Sequence, residues 1–155
     1  MTTIAYCNGV LAADGLVSGP PGVRWTMKLF RRDGAVYGGC GVRSQIQTLA
    51  DWYFGDRKEQ PKYFPVGDDG PSASILVMHD DGRVYQCGFD ACPIEVPDYA
   101  AIGSGSEYAV GAMYMGASAL RAVEAAICHD SDSGGGIVYA DRGGDIVNYP
   151  GKIYA

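Results

Sequence analysis

Two short apolar runs, Thr3 to Cys7 and Val10 to Ala13, are separated only by Asn8-Gly9, and this spacing constrains the fold more than any other feature of the chain. Asn-Gly suits the two positive-φ positions of a type I′ turn, so the chain opens with a tight antiparallel hairpin. The device recurs. Arg31-Arg32-Asp33-Gly34 leads from an apolar run over Val23 to Phe30, read as one strand, into Ala35 to Gly39. Asp80-Asp81-Gly82 joins Ala73 to His79 with Arg83 to Gly88. Strands joined by hairpins rather than by crossover helices build antiparallel sheets and disfavour a parallel doubly wound sheet.

Helices punctuate the strands. Ser44-Gln45-Ile46-Gln47 fits a capping box, and Ile46, Leu49, Ala50 and Tyr53 follow at helical spacing, which predicts a helix from Ser44 to Phe54 that stops at Gly55. Asp56 to Ser72, with Pro61, Pro65 and Pro71, offers no helical stripe and reads as a long surface loop. Tyr99 to Ile102 forms a brief strand entering Gly103-Ser104-Gly105-Ser106. Helices over Tyr108 to Met115 and Ala119 to Cys128 follow, with Leu120, Val123 and Ile127 as the apolar face of the second. After Asp130-Ser131-Asp132-Ser133-Gly134-Gly135 come strands at Ile137 to Ala140 and Asp145 to Tyr149. A sandwich of sheets covered by helices on its outer faces explains this order.

At 155 residues the expectation is one domain with a substantial core. A net charge of −6 with no long basic run argues against nucleic acid. Cys7, Cys40, Cys87, Cys92 and Cys128 are odd in number and widely spaced, so they read as reduced core or near-core thiols of a cytoplasmic protein, with no zinc constellation. No leader precedes them, and no apolar run approaches the roughly 20 residues that span a bilayer.

The chemistry is suggested by the first residues, Met1-Thr2-Thr3-Ile4-Ala5. Threonine is small enough to allow removal of Met1, which would leave a hydroxyl nucleophile and a free amine, its own base, on one residue. The opening hairpin, if in register, returns Asp14 beside Thr2. Lys28 lies among Met27, Leu29 and Phe30, where it either faces solvent or points inward and needs an anion, for which Asp14 is the candidate.

These motifs together resemble the proteasome β-subunit group of N-terminal nucleophile hydrolases, including the HslV-type peptidase, over nearly the whole chain. Thr2-Thr3-Ile4-Ala5 looks like the mature amino terminus of such subunits, and Ala12-Ala13-Asp14-Gly15 like the segment carrying their buried aspartate. Lys28-Leu29-Phe30-Arg31-Arg32 resembles the strand with the active-site lysine, and Gly38-Gly39-Cys40-Gly41 the turn that supplies the oxyanion amide. Ala101-Ile102-Gly103-Ser104-Gly105 and Asp130-Ser131-Asp132-Ser133-Gly134-Gly135 are similar to two further signatures.

The resemblance implies an α+β fold, a four-layer αββα sandwich, with the first outer helix layer reduced because no second helix follows Gly55. It implies a threonine-type peptidase without a cofactor, acting on peptide or unfolded protein within a homo-oligomeric ring or double ring. Thr2 would be the nucleophile, Lys28 would lower the pKa of its amine while held by Asp14, and Ser104, Asp130 and Ser133 would orient that amine. Gly41 would supply the oxyanion amide, with Gly39 as second choice because the turn after Lys28 is about one residue shorter than in the family. Leu16 to Gly22, Gly39 and Cys40 would shape the substrate pocket. Two other readings stand beside this one, a non-catalytic structural subunit and a small-molecule amidase on the same fold. Ring size, substrate, the state of Met1 and an ATP-driven unfoldase partner stay open.

Overall fold

In the computed structural model, residues 2–17 and 24–150 are described. They form a mixed α+β structure with two five-stranded antiparallel sheets and three helices. The opening hairpin joins β1 (Thr3–Cys7) to β2 (Val10–Asp14), and Asn8 (φ 48°) and Gly9 (φ 78°) both occupy the positive-φ region that its tight turn requires. After the two-residue β3 (Leu16–Val17) and β4 (Arg24–Trp25) come β5 (Leu29–Arg32), β6 (Ala35–Cys40) and α1 (Arg43–Phe54). Then follow β7 (Ser74–His79), β8 (Val84–Gly88), β9 (Ile94–Glu95), β10 (Tyr99–Gly103), α2 (Ser106–Tyr114), α3 (Ala119–His129), β11 (Ile137–Asp141) and β12 (Val147–Asn148). The first sheet has the order β10-β1-β2-β11-β12 and the second β5-β6-β7-β8-β9, while β3 and β4 pair only with each other.

Because side chains alternate along a strand, each sheet presents two apolar faces. From the first sheet, Ile4, Tyr6, Leu11 and Ala13 pack against Leu29, Val36, Leu76 and Met78 of the second, forming one core between the sheets. The alternate residues Ala5, Cys7 and Ala12 instead meet Ala109 and Met113 of α2 and Ala119, Ala122 and Val123 of α3. On the outer face of the second sheet, Ala35, Tyr37, Ile75, Val77 and Cys87 pack against Leu49, Ala50 and Tyr53 of α1. Strands β1, β2 and β7 are therefore buried on both faces, which is why they read as continuous apolar runs.

The predicted capping box does not form. Val42 caps α1 without a side-chain bond, and Ser44 sits in the first helical turn, where its carbonyl accepts from the Thr48 hydroxyl. The chain leaves β6 through Gly41 (φ 105°), whose absent Cβ makes room for the Ser72 carbonyl, and this sharp turn starts the helix one residue early. The single strand expected over Val23 to Phe30 is also broken. Arg24 and Trp25 pair with β3, the Thr26 amide donates to the Gly15 carbonyl, and Leu29 opens a ladder in the second sheet, so the chain crosses between sheets at Thr26 to Lys28.

The loop from Asp56 to Ser72 carries only an isolated bridge between Val66 and Asp69. Gln45, 2% exposed, tethers it by donating to the Phe64 carbonyl and accepting from the Ser72 amide. The cysteines are free thiols, but Cys92 and Cys128 are exposed, which corrects the expectation that all five lie in or near the core. Among the described residues no helix is long and apolar enough to cross a membrane.

Candidate active site

Burial of polar groups marks the site. Thr2, Thr3, Asp14, Lys28, Gln45 and Ser133 are the buried polar and charged residues of the described chain, and all but Gln45 belong to one cluster at the start of β1. Buried charge is costly unless it is paired and hydrogen-bonded, so a cluster of this kind is built rather than incidental.

Asp14 is its base. The hairpin register, with Ile4 opposite Ala13, sets Asp14 opposite Thr3, and its fully buried carboxylate accepts the Thr3 amide at 2.8 Å on Oδ1. Oδ2 accepts the amides of Leu16 at 3.2 Å and Gly134 at 3.0 Å. Lys28 completes the set, its ammonium 2.9 Å from Oδ1 with the side chain 6% exposed. The inward alternative for Lys28 is therefore the one realised. The crossover aims it inward, because Lys28 sits just before β5, at the point where the chain enters the second sheet. Burial lowers the Lys28 pKa, and the attraction of Asp14, with smaller contributions from Asp130 and Cys40, opposes that shift.

A second arm comes from the other side of β1, where Gly103 of β10 lies opposite Thr3. The Ser104 hydroxyl donates to Asp130 Oδ2 at 2.7 Å and accepts from the Thr2 backbone nitrogen at 3.4 Å. The Ser133 hydroxyl donates to the same Oδ2 at 2.6 Å, and the Asp132 amide to Oδ1 at 3.2 Å. Burial pushes the Asp130 carboxyl upward, but the hydrogen bonds from Ser133 and Ser104 outweigh it and hold its pKa below the usual value. Asp130 therefore stays an acceptor, and Ser104 and Ser133 are polarised toward it.

Thr3, which sequence reasoning passed over, links the two arms. Its amide bonds Asp14, and its hydroxyl lies 2.6 Å from Ser133 Oγ. Because Ser133 donates to Asp130, Thr3 donates to Ser133, giving a relay Thr3-Ser133-Asp130-Ser104 that ends at Thr2. A polar residue in an otherwise apolar buried strand was the available signal. The glycines around Ser104 also acquire a reason. A Cβ on Gly103 (φ 98°) would lie 1.9 Å from the Thr2 carbonyl oxygen, and one on Gly105 would lie 2.0 Å from Thr3 Oγ1.

The oxyanion candidates lie at the end of β6. Gly39 faces Ile46 of α1, its missing Cβ position 2.3 Å from that side chain. Gly41 is exposed, and its amide donates to no described residue. Neither glycine shares a hydrogen bond with Thr2 among the described residues. Cys40 between them feels Lys28, although burial pushes its thiol up to about 11. Met1 and the Ser18 to Gly22 part of the expected pocket loop lie outside the described residues.

No protein-family model matches this chain, and no curated protein does. Solved structures do. Thiobacillus denitrificans BPH superposes with a TM-score of 0.65 at 21% identity, covering 97% of this chain and 99% of that one. The same protein in complex with epoxomicin gives a TM-score of 0.65 at 21% identity over 95% and 97% of the two chains. The Anbu (Gly-1) mutant from Hyphomicrobium sp. strain MC1 gives 0.67 at 14% identity over 95% of this chain and 86% of that one. At these identities the likeness is one of fold.

Proposed function

We propose that this chain is a threonine-type peptidase of the proteasome β-subunit and HslV-like group, built as one four-layer αββα domain with a reduced first helix layer. The two helix-covered outer faces and the core between the sheets support that architecture. The observation that carries the activity is the convergence of two hydrogen-bonded carboxylate arms, Asp14-Lys28 and Asp130-Ser104-Ser133, on the segment Thr2-Thr3. A silent subunit has no chemical use for a buried ammonium at that point, and this favours the catalytic reading over the structural one.

Once Met1 is removed, the Thr2 amine takes the proton of its own hydroxyl, and the Thr2 oxygen attacks a peptide carbonyl. The Lys28 charge lowers the pKa of the amine, so that it rests neutral and can accept that proton. Ser104, Ser133 and Asp130 orient the amine, which donates its proton to the leaving nitrogen and then activates water against the acyl-enzyme. The Gly41 amide, which donates to no described residue, supplies the donor for the developing oxyanion, with Gly39 as second choice, worth roughly 3 kcal/mol of transition-state stabilisation. Turnover of a peptide reporter by the processed chain, lost in Thr2→Ala and partly kept in Thr2→Ser, tests this reading; unchanged activity in Thr2→Ala contradicts it.

The proposal includes a homo-oligomeric ring acting on peptide or unfolded protein. Tyr108, Val110, Tyr114 and Met115 of the α2 region are exposed apolar side chains on a helix pair suited to contact with another copy. Light scattering at micromolar concentration then reports a large assembly, and a strictly monomeric 16.4 kDa species contradicts the ring.

A further inference from the structure

We propose that a pocket walled by Tyr53, Arg57, His79, Arg83, Tyr85 and Pro93 binds a phosphate monoester carried on a flat ring. The pocket is separate from the Thr2 site. His79 pairs with Ala35 at one end of the β6-β7 ladder, whereas Cys40 pairs with Ser74 at the other. Its cavity of about 360 Å³ falls in the range of small-molecule sites.

Arg57 is the group that asks for an anion. It stands just after α1 in a left-handed backbone conformation (φ 57°). Its Nε donates to the Tyr53 carbonyl at 2.8 Å, and its guanidinium lies 4.3 Å from the Tyr53 ring and 5.5 Å from the Trp52 ring. Stacking, that bond and a further interaction with the Tyr53 hydroxyl fix the plane of the fork, whose charge is met by no described carboxylate. Among the described residues Arg57 forms no ion pair, although the chain carries a net charge of −6. Of the nearby carboxylates, Asp80 pairs with Arg31, and Asp81 takes Nε and one terminal nitrogen of Arg83 at the pocket wall, so that Arg83 offers a ligand its other terminal nitrogen.

His79 adds a donor that can switch on. Its Nε2 lies 2.8 Å from the Tyr53 hydroxyl, and the charged groups around it are Asp80, Asp81, Arg83 and Arg57. Burial, reinforced by the two arginines, lowers its pKa against the pull of the aspartates, so the ring is neutral in the empty pocket. A bound dianion reverses that balance. Donors converge from α1 and from the β7-β8 hairpin, which suits the three terminal oxygens of a phosphate better than the two of a carboxylate. The rings of Tyr53 and Tyr85 and the face of Pro93 offer the flat apolar walls for the ester group.

The test is a titration of the full-length protein with phenyl phosphate, followed by NMR of the ring protons of its two histidines. The expected result is saturable binding with Kd below about 1 mM. The His79 signals shift, with titration of that ring moved to higher pH, while those of His129 stay in place. Inorganic phosphate and benzoate bind at least about tenfold more weakly, and Arg57→Gln weakens phenyl phosphate by about tenfold or more. If Arg57→Gln loses its fold, Arg83→Gln on the separate hairpin takes its place, with weakening again expected. Absence of saturation, movement of both histidines alike, benzoate binding as tightly as phenyl phosphate, or full affinity in the folded variant overturns the assignment. Inorganic phosphate binding as tightly as phenyl phosphate overturns the role of the ring.

Discussion

Replacing Lys28 by methionine keeps the length and apolar stem of the side chain and deletes its charge. The partner left behind, Asp14, is fully buried and keeps three amide donors, from Thr3, Leu16 and Gly134. Breaking a buried pair by removing one partner costs about 3–5 kcal/mol. The three remaining amides still solvate the carboxylate, which places the expected loss near the lower end, about 3 kcal/mol. For a chain of this size that corresponds to a fall in Tm of roughly 6–12 °C. Adding Asp14→Asn removes the stranded charge, so the double variant is expected to be less destabilised than the two single effects summed, by at least about 1 kcal/mol. Denaturant unfolding of the four proteins of this cycle measures the stability terms, and a peptide reporter measures turnover, whose loss is expected in every variant. A cost below about 1 kcal/mol for Lys28→Met, or strict additivity with Asp14→Asn, would refute the argument that this ion pair is the buried foundation of the site.

Thr3→Val keeps shape and the amide bond to Asp14 but removes the hydroxyl from Ser133, leaving one buried partner short; a stability loss of about 1–3 kcal/mol and reduced turnover are expected, and wild-type values in both assays contradict the relay. Asp130 makes a pH prediction. Its folded-state pKa is lowered, so the stability it contributes is complete above its unfolded value near 3.9 and is lost as pH falls through the folded value. Comparing denaturation midpoints at about pH 5 and about pH 3, the drop narrows in Asp130→Asn; an unchanged drop shows that Asp130 is not held ionised by Ser104 and Ser133.

What was legible in the sequence follows from how local each signal is. The Asn8-Gly9 hairpin carries its own geometry in its turn residues, so the return of Asp14 to the amino terminus could be anticipated from the chain alone, although its register sets the carboxylate on the Thr3 amide rather than beside Thr2. The orientation of Lys28 could not, since it depends on the crossing between two sheets at Thr26 to Lys28, a tertiary event with no periodic signature. Ser44 and Gln47 satisfied a capping pattern locally, yet the steric demand of Gly41 against Ser72 set the helix start instead. The short strands β3 and β9 exist only through their partners and left no mark on the sequence. Gly103-Ser104-Gly105 stood out as a motif, but its reason, clearance for the Thr2 carbonyl and the Thr3 hydroxyl, appears only when β10 lies against β1.

The central claim is that Thr2 carries both nucleophile and base. A peptide epoxyketone presents two electrophilic centres, and a residue with a hydroxyl and a free amine can capture both. Intact mass spectrometry after incubation with such a reagent is the most direct measurement. One adduct per processed chain is expected, located on Thr2 by fragmentation, with loss of peptidase activity in step with labelling. No adduct is expected on chains that retain Met1 or on Thr2→Ala. Labelling at any other residue, or full labelling and peptidase activity in chains that retain Met1, would contradict the claim.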